Sequence, residues 1–135
     1  MKRKLLTAMI CILGILYLQF GRTPDVNVAR TAGTADSYIL HLTVTANKLC
    51  IINKEQYAKS LVQRVLDNNF KNMIFSYDEI GIPKEIHITV YTSSLTKFHN
   101  HPAFEIHYIT SEGGIQIILK EQSLLSDCSS HEDSY

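Results

Sequence analysis

The stretch from Leu5 to Phe20 is almost unbroken in apolar character, and it follows directly on Lys2, Arg3 and Lys4. Only Thr7, Gly14 and Gln19 interrupt it. A run of this kind cannot sit on the surface of a soluble domain without exposing a large apolar face, so it belongs in a membrane or a core. The three cations decide between these. A cationic flank before an apolar run is the layout of a secretory signal, and the positive-inside rule keeps that end in the cytoplasm. As a helix the run reaches about 24 Å at about 1.5 Å per residue, a little short of the roughly 30 Å hydrocarbon layer. Lys4 and Arg22 can cover the difference by snorkelling.

Cleavage after this segment wants small residues at positions −3 and −1. Gly21, Arg22, Thr23 and Pro24 fit poorly, and Gly33-Thr34-Ala35 lies unusually far downstream. Cys11 is preceded by Ile10, where a lipid-acceptor box wants a small residue. Residues 1–22 therefore read as a signal-anchor rather than a cleaved signal peptide, with residues 5–20 as the membrane partner. Either way the rest of the chain leaves the cytoplasm: single-pass with the C-terminal domain outside, or secreted if the signal is cleaved.

Residues 23–35 mix Pro, Gly, Thr, Ala and Asn without apolar period, which predicts a flexible linker. From Ser37 the pattern changes. Tyr38, Leu40, Leu42 and Val44 alternate with Ile39, His41, Thr43 and Thr45, which predicts a half-buried strand. Leu49 to Ile52 reads as a short hairpin partner. Asn53 then opens the clearest helix, with Gln56 three residues on in the manner of a capping box. Tyr57, Ala58, Leu61, Val62, Val65 and Leu66 form its apolar face, and Asn68-Asn69 ends it, since asparagine tolerates the left-handed exit. Met73 to Tyr77 reads as a strand, and Asp78 to Pro83 as a turn. Ile86, Ile88 and Val90 alternate through a further strand, and Ser93 to Pro102 form a polar loop. Phe104, Ile106 and Tyr108, then Ile115, Ile117 and Leu119, predict two strands joined by a turn at Ser111 to Gly114. Residues 121–135 are Ser-rich and acidic, which predicts disorder.

The expected architecture is α+β: one helix packed on an antiparallel sheet of about five to six strands, spanning residues 36–120, behind the N-terminal hydrophobic helix. Its core should bring Leu61, Val62 and Val65 against Leu42, Ile88 and Ile106. As a topology, the strand–helix–meander order resembles the cystatin-like arrangement. Neither a Gln-x-Val-x-Gly loop nor a Pro-Trp hairpin is present, so protease inhibition is not implied. The strand-turn-strand-helix opening over residues 38–66, behind one membrane segment, also resembles the periplasmic domains of the ExbD/TolR proteins. Their intramembrane aspartate has no counterpart between Leu5 and Phe20, and the strand-rich pattern after residue 70 departs from theirs.

Charge excludes one class of function. The totals balance, 13 basic against 13 acidic, and the tail carries Glu121, Asp127, Glu132 and Asp133 without a cation. With no basic face to neutralise phosphates along a duplex, nucleic acid is not an expected partner. Cys11, Cys50 and Cys128 give no metal-ligand spacing. Only Cys50 and Cys128 could pair outside the cytoplasm; the alternative is a buried Cys50 and a loose Cys128.

Histidine carries the remaining chemistry. His41, His87 and His107 fall at the non-core positions of three strands, so all three should share one sheet face. His99 and His101 add a pair in the preceding loop. Thr43, Thr89, Glu85, Tyr91 and Glu105 occupy the same face, as on any solvated sheet, and no paired-ligand spacing occurs. No metal or cofactor is expected. No Gly-x-Ser-x-Gly elbow, Gly-rich phosphate loop or nucleophile–base pair is present, and Asp78-Glu79 reads as turn chemistry, so an enzyme is not expected. The expected function is a binding or accessory module, with a protein partner on the sheet face around Ile39, Tyr91, Ile109 and Ile118. The alternatives are a metal-binding or metal-dependent domain on the histidine face, and a structural domain that oligomerises through its edge strands.

Overall fold

The computed structural model describes residues 1–34, 37–111 and 114–121. It shows an α+β fold: a long N-terminal helix, α1 (Lys2–Phe20), a five-stranded sheet and three further helices. The strands are β1 (Asp25–Thr34), β2 (Ser37–Thr45), β3 (Glu85–Tyr91), β4 (Phe104–Ser111) and β5 (Gly114–Lys120), lying side by side in chain order. Between β2 and β3 run α2 (Lys54–Leu66) and the single-turn α3 (Tyr77–Ile80); α4 (Ser94–Phe98) links β3 to β4.

The alternation of apolar residues places β2 to β5 within a residue of their expected ends, except that β4 runs on to Ser111. Leu40, Leu42 and Val44, Ile86, Ile88 and Val90, and Phe104, Ile106 and Tyr108 all turn to one face and are buried there. On that face lie Ala58, Leu61, Val62 and Val65 of α2, buried in the same cluster. Asn53 caps α2 by accepting the Gln56 N–H at 2.9 Å. Asn68 leaves it at φ 55, with its N–H on the Val65 carbonyl and that of Asn69 on the Arg64 carbonyl, the paired bonds of a Schellman exit.

The expected α+β fold is present, and five of its details are corrected. The sheet is mixed rather than antiparallel: β2 and β3 pair in parallel, Ile39 with Glu85 through Thr45 with Tyr91, and α2 forms the crossover a parallel pair requires. This junction departs from the antiparallel strands of the cystatin-like reading. The segment read as a flexible linker holds β1, an edge strand paired antiparallel with β2. Its apolar signal is weak because an edge strand buries little: Val26 reaches the core and Ala29 packs beside it. Leu49–Ile52 is not a strand but a loop descending to α2. Met73–Tyr77 is likewise irregular until α3 begins; Asn68 braces it, its side chain bonding both the N–H and the carbonyl of Phe75 at 2.7 Å. The loop expected over Ser93–Pro102 contains α4, capped by a two-way box between Ser93 and Thr96.

The loop after β2 also receives the end of α1. The Gln19 side chain accepts the N–H groups of Leu49 and Cys50 at 3.1 and 3.3 Å and donates to the Cys50 carbonyl at 2.7 Å. Lys48 Nζ donates to the Gln19 carbonyl at 2.8 Å and stands 5.6 Å from the Phe20 ring centre. Cys50 is half-buried in this loop, and its proposed partner Cys128 lies outside the described residues, as does the tail from residue 122.

Candidate functional site: a histidine row across the central strands

The side chains that turn away from the core on β2, β3 and β4 stand in rows fixed by register. His41 pairs with His87 across the parallel junction, and His87 pairs with His107 across the antiparallel one. Because side chains alternate with a period of two and all three strands present the same parity, the imidazoles fall on one face in one line. Their ring centres are 4.9 Å apart between His41 and His87, edge to face, and 4.3 Å between His87 and His107. Arg30 of β1 and Ile118 of β5 are the next register partners outward.

Two carboxylates flank the row from its own strands. Glu85 Oε2 is 3.4 Å from His87 Nε2, and Glu105 Oε2 is 3.9 Å from His107 Nε2. In register terms they stand on opposite sides of the row: Glu85 lies opposite Ile39 and Ile109, Glu105 opposite Thr89 and Lys120. Burial disfavours the charged imidazole of His107 and lowers its pKa. The nearby His87 and Lys120 push the same way, against an upward pull from Glu105. A shallow hollow of about 170 Å³ opens over His41, His87, His107 and Glu105.

This arrangement is a line rather than a cage. Strands are spaced about 4.8 Å apart, so the outer histidines sit about 10 Å from each other at the backbone, whereas zinc holds each nitrogen at about 2.0–2.1 Å. Among the described residues no three His, Cys, Asp or Glu side chains converge to hold a metal ion. His99 and His101 do not join the row. Both are exposed beyond α4, with His99 set edge-on to Phe98 at 5.3 Å. Asp78 and Glu79 lie exposed in the first turn of α3.

The contact surface expected around the row is smaller than the sequence suggests. Tyr91 is buried, its hydroxyl on the Asn100 side-chain oxygen at 3.0 Å, and Ile39 and Ile109 are half-buried beside Glu85. Ile118 remains exposed on the edge strand β5. What the face can do is donate and accept hydrogen bonds through its imidazoles.

Sequence reasoning missed Gln19 and Tyr57. Gln19 is an interruption in an apolar run, and Tyr57 reads as part of a helix face; neither signal names its spatial partner. The chain matches no protein-family model, no curated protein and no solved structure.

Proposed function

We propose that the chain is a membrane-tethered extracytoplasmic module: α1 stays in the bilayer, and the sheet domain meets a protein partner through its histidine face. The observation that carries this reading is α1 itself. It is 19 residues long with a mean hydropathy of 1.5, and none of it is buried against the domain. An apolar helix that covers no core surface must find lipid or be removed. The Gln19 bonds favour retention, because cleavage would remove three hydrogen bonds to the Leu49–Cys50 loop.

Protease added to sealed cells with a permeable outer barrier tests this. Digestion of the domain with a membrane-bound stub supports the reading, full protection overturns the orientation, and a soluble shortened product overturns retention.

A second reading, a metal-dependent domain, draws on the in-register histidine row. It requires the outer imidazoles to swing toward His87, and zinc titration followed by metal analysis separates it from the first.

A further inference from the structure

Where α1 gives way to β1, cations gather around a pocket; the carboxylate that opens β1, Asp25, is held by the Asn47 side-chain amide at 2.7 Å and does not line it. Phe20, Arg22 and Lys48, with Tyr57, Ser60 and Arg64 of α2, border a pocket of about 250 Å³. The three α2 residues recur at spacings of three and four, so they share one face of the helix. No acidic side chain lines the pocket. Among the described residues, no carboxylate pairs with Arg22, Lys48 or Arg64.

The Tyr57 hydroxyl is buried and has no hydrogen-bond partner among the described residues. A buried hydroxyl left this way costs stability, and its retention calls for an explanation. Burial pushes the Tyr57 phenol up to about 12, so it remains a proton donor at neutral pH, beside the Arg64 guanidinium. A second hollow of about 430 Å³ shares Phe20, Lys48, Tyr57 and Ser60 and continues over Ile51 and the exposed Ile52.

We propose that this pocket holds the phosphate of an anionic lipid headgroup. Arg22, Lys48 and Arg64 supply the charge, a small shift of the Tyr57 ring, which lines the pocket, brings its enclosed hydroxyl to donate to a phosphate oxygen, and the start of the acyl chains lies over Phe20 and Ile52. The assignment rests on α1 being a membrane helix, since Arg22 then sits at headgroup level, two residues beyond the end of α1. Phosphate fits because guanidinium forks match its oxygens and ammonium groups add charge at short range. The apolar hollow beside the cations suits a lipid over a free ion.

The test reconstitutes the full chain into bilayers of phosphatidylcholine mixed with phosphatidylglycerol and measures the lipid retained on the protein by native mass spectrometry. Phosphatidylglycerol should be enriched over its bulk fraction. The double variant R22Q/R64Q should lose that enrichment, by about fivefold per cation removed. Tyr57→Phe, which keeps the ring and its packing, should also lower the enrichment while leaving the unfolding midpoint in pure phosphatidylcholine unchanged or higher. Equal retention by the wild type and both variants overturns the site. Inorganic phosphate is the second probe: if it raises the midpoint of the wild type but not of R22Q/R64Q, without any lipid preference, the pocket takes free phosphate and the lipid assignment falls. Failure of the wild type to float with any vesicle overturns the membrane reading itself, and the lipid assignment with it.

Discussion

Gln19 and Cys50 pair through complementary amides: the Gln19 side chain donates to the Cys50 carbonyl at 2.7 Å and accepts the Cys50 N–H at 3.3 Å. The pairing imitates one rung of a β-ladder, with a side chain in place of a neighbouring strand. It joins the last turn of an apolar helix to the loop between β2 and α2. Helix and domain are thereby connected twice, once through the chain at Gly21 and once through this contact.

Replacing Gln19 by Ala removes the Gln19 hydrogen bonds to the Leu49 and Cys50 N–H groups. The expected result is faster hydrogen exchange at both amides in the full chain, with the core amides of β3 unchanged, and a stability loss of about 1–3 kcal/mol. Unaltered protection at Leu49 and Cys50 would show that the clamp does not persist in solution.

Leu61 lies 1% exposed where α2 meets the sheet. Truncation to Ala removes buried methyl groups and opens a cavity, at a cost of roughly 2–5 kcal/mol. Chemical unfolding of the full chain in detergent measures it. A change below about 0.5 kcal/mol, the range of ordinary surface substitutions, would contradict the packing described.

Much of that core was readable from periodicity. Leu40, Ile88 and Ile106 alternate with polar residues, and Leu61, Val62 and Val65 repeat on one helical face, so each declares which side it buries. Asn53 and Asn68 mark the ends of α2 by local chemistry. Strand direction has no such signal: alternation reads the same in either sense, so the parallel β2–β3 pair and the register that aligns His41 with His87 were hidden. β1 was hidden for a different reason, because an edge strand exposed along most of its length needs few apolar residues. Contacts such as Gln19 with Cys50, distant in sequence, follow only once the fold is assembled.

The pKa of His107 is lowered in the folded protein, foremost by burial, so the unfolded chain binds the proton more readily. Above about pH 6.5, the ordinary imidazole value, both states are neutral and the residue contributes no pH dependence. As the pH falls through that value the unfolded state is favoured, and the loss levels off below the folded pKa. Unfolding midpoints between about pH 7.5 and pH 5.5 should therefore decline, and His107→Gln should flatten part of that decline. An identical slope in wild type and variant would remove His107 as its source. The charged and titratable neighbours bearing on it are His87, Glu105 and Lys120.

A linear histidine row should contribute no structural metal. Chelator treatment of the purified chain is expected to leave the unfolding midpoint where it was, with a metal-to-protein ratio near zero. A structural zinc supplies a large part of the folding free energy, so its removal would unfold the domain. Stoichiometric zinc together with a lowered midpoint would promote the metal-dependent reading and make His41→Ala the next variant.

The parallel pairing of β2 with β3 also orders events in time. A ribosome delivers the N-terminus first, so the β1–β2 hairpin is complete while residues 46–84 and everything after them are still to emerge. Its open flank cannot be covered by the next segment of chain, as it would be in a meander. It must wait for β3, which arrives only after the whole crossover. The β3–β4–β5 meander, by contrast, assembles from neighbours in sequence. Joining these two halves requires one long loop closure, the slow kind of step in folding. Until that step the inner edge of β2, with Leu40, Leu42 and Val44 along it, is an unpaired strand. The nascent chain is therefore most vulnerable to misassociation between the synthesis of residue 45 and that of residue 91.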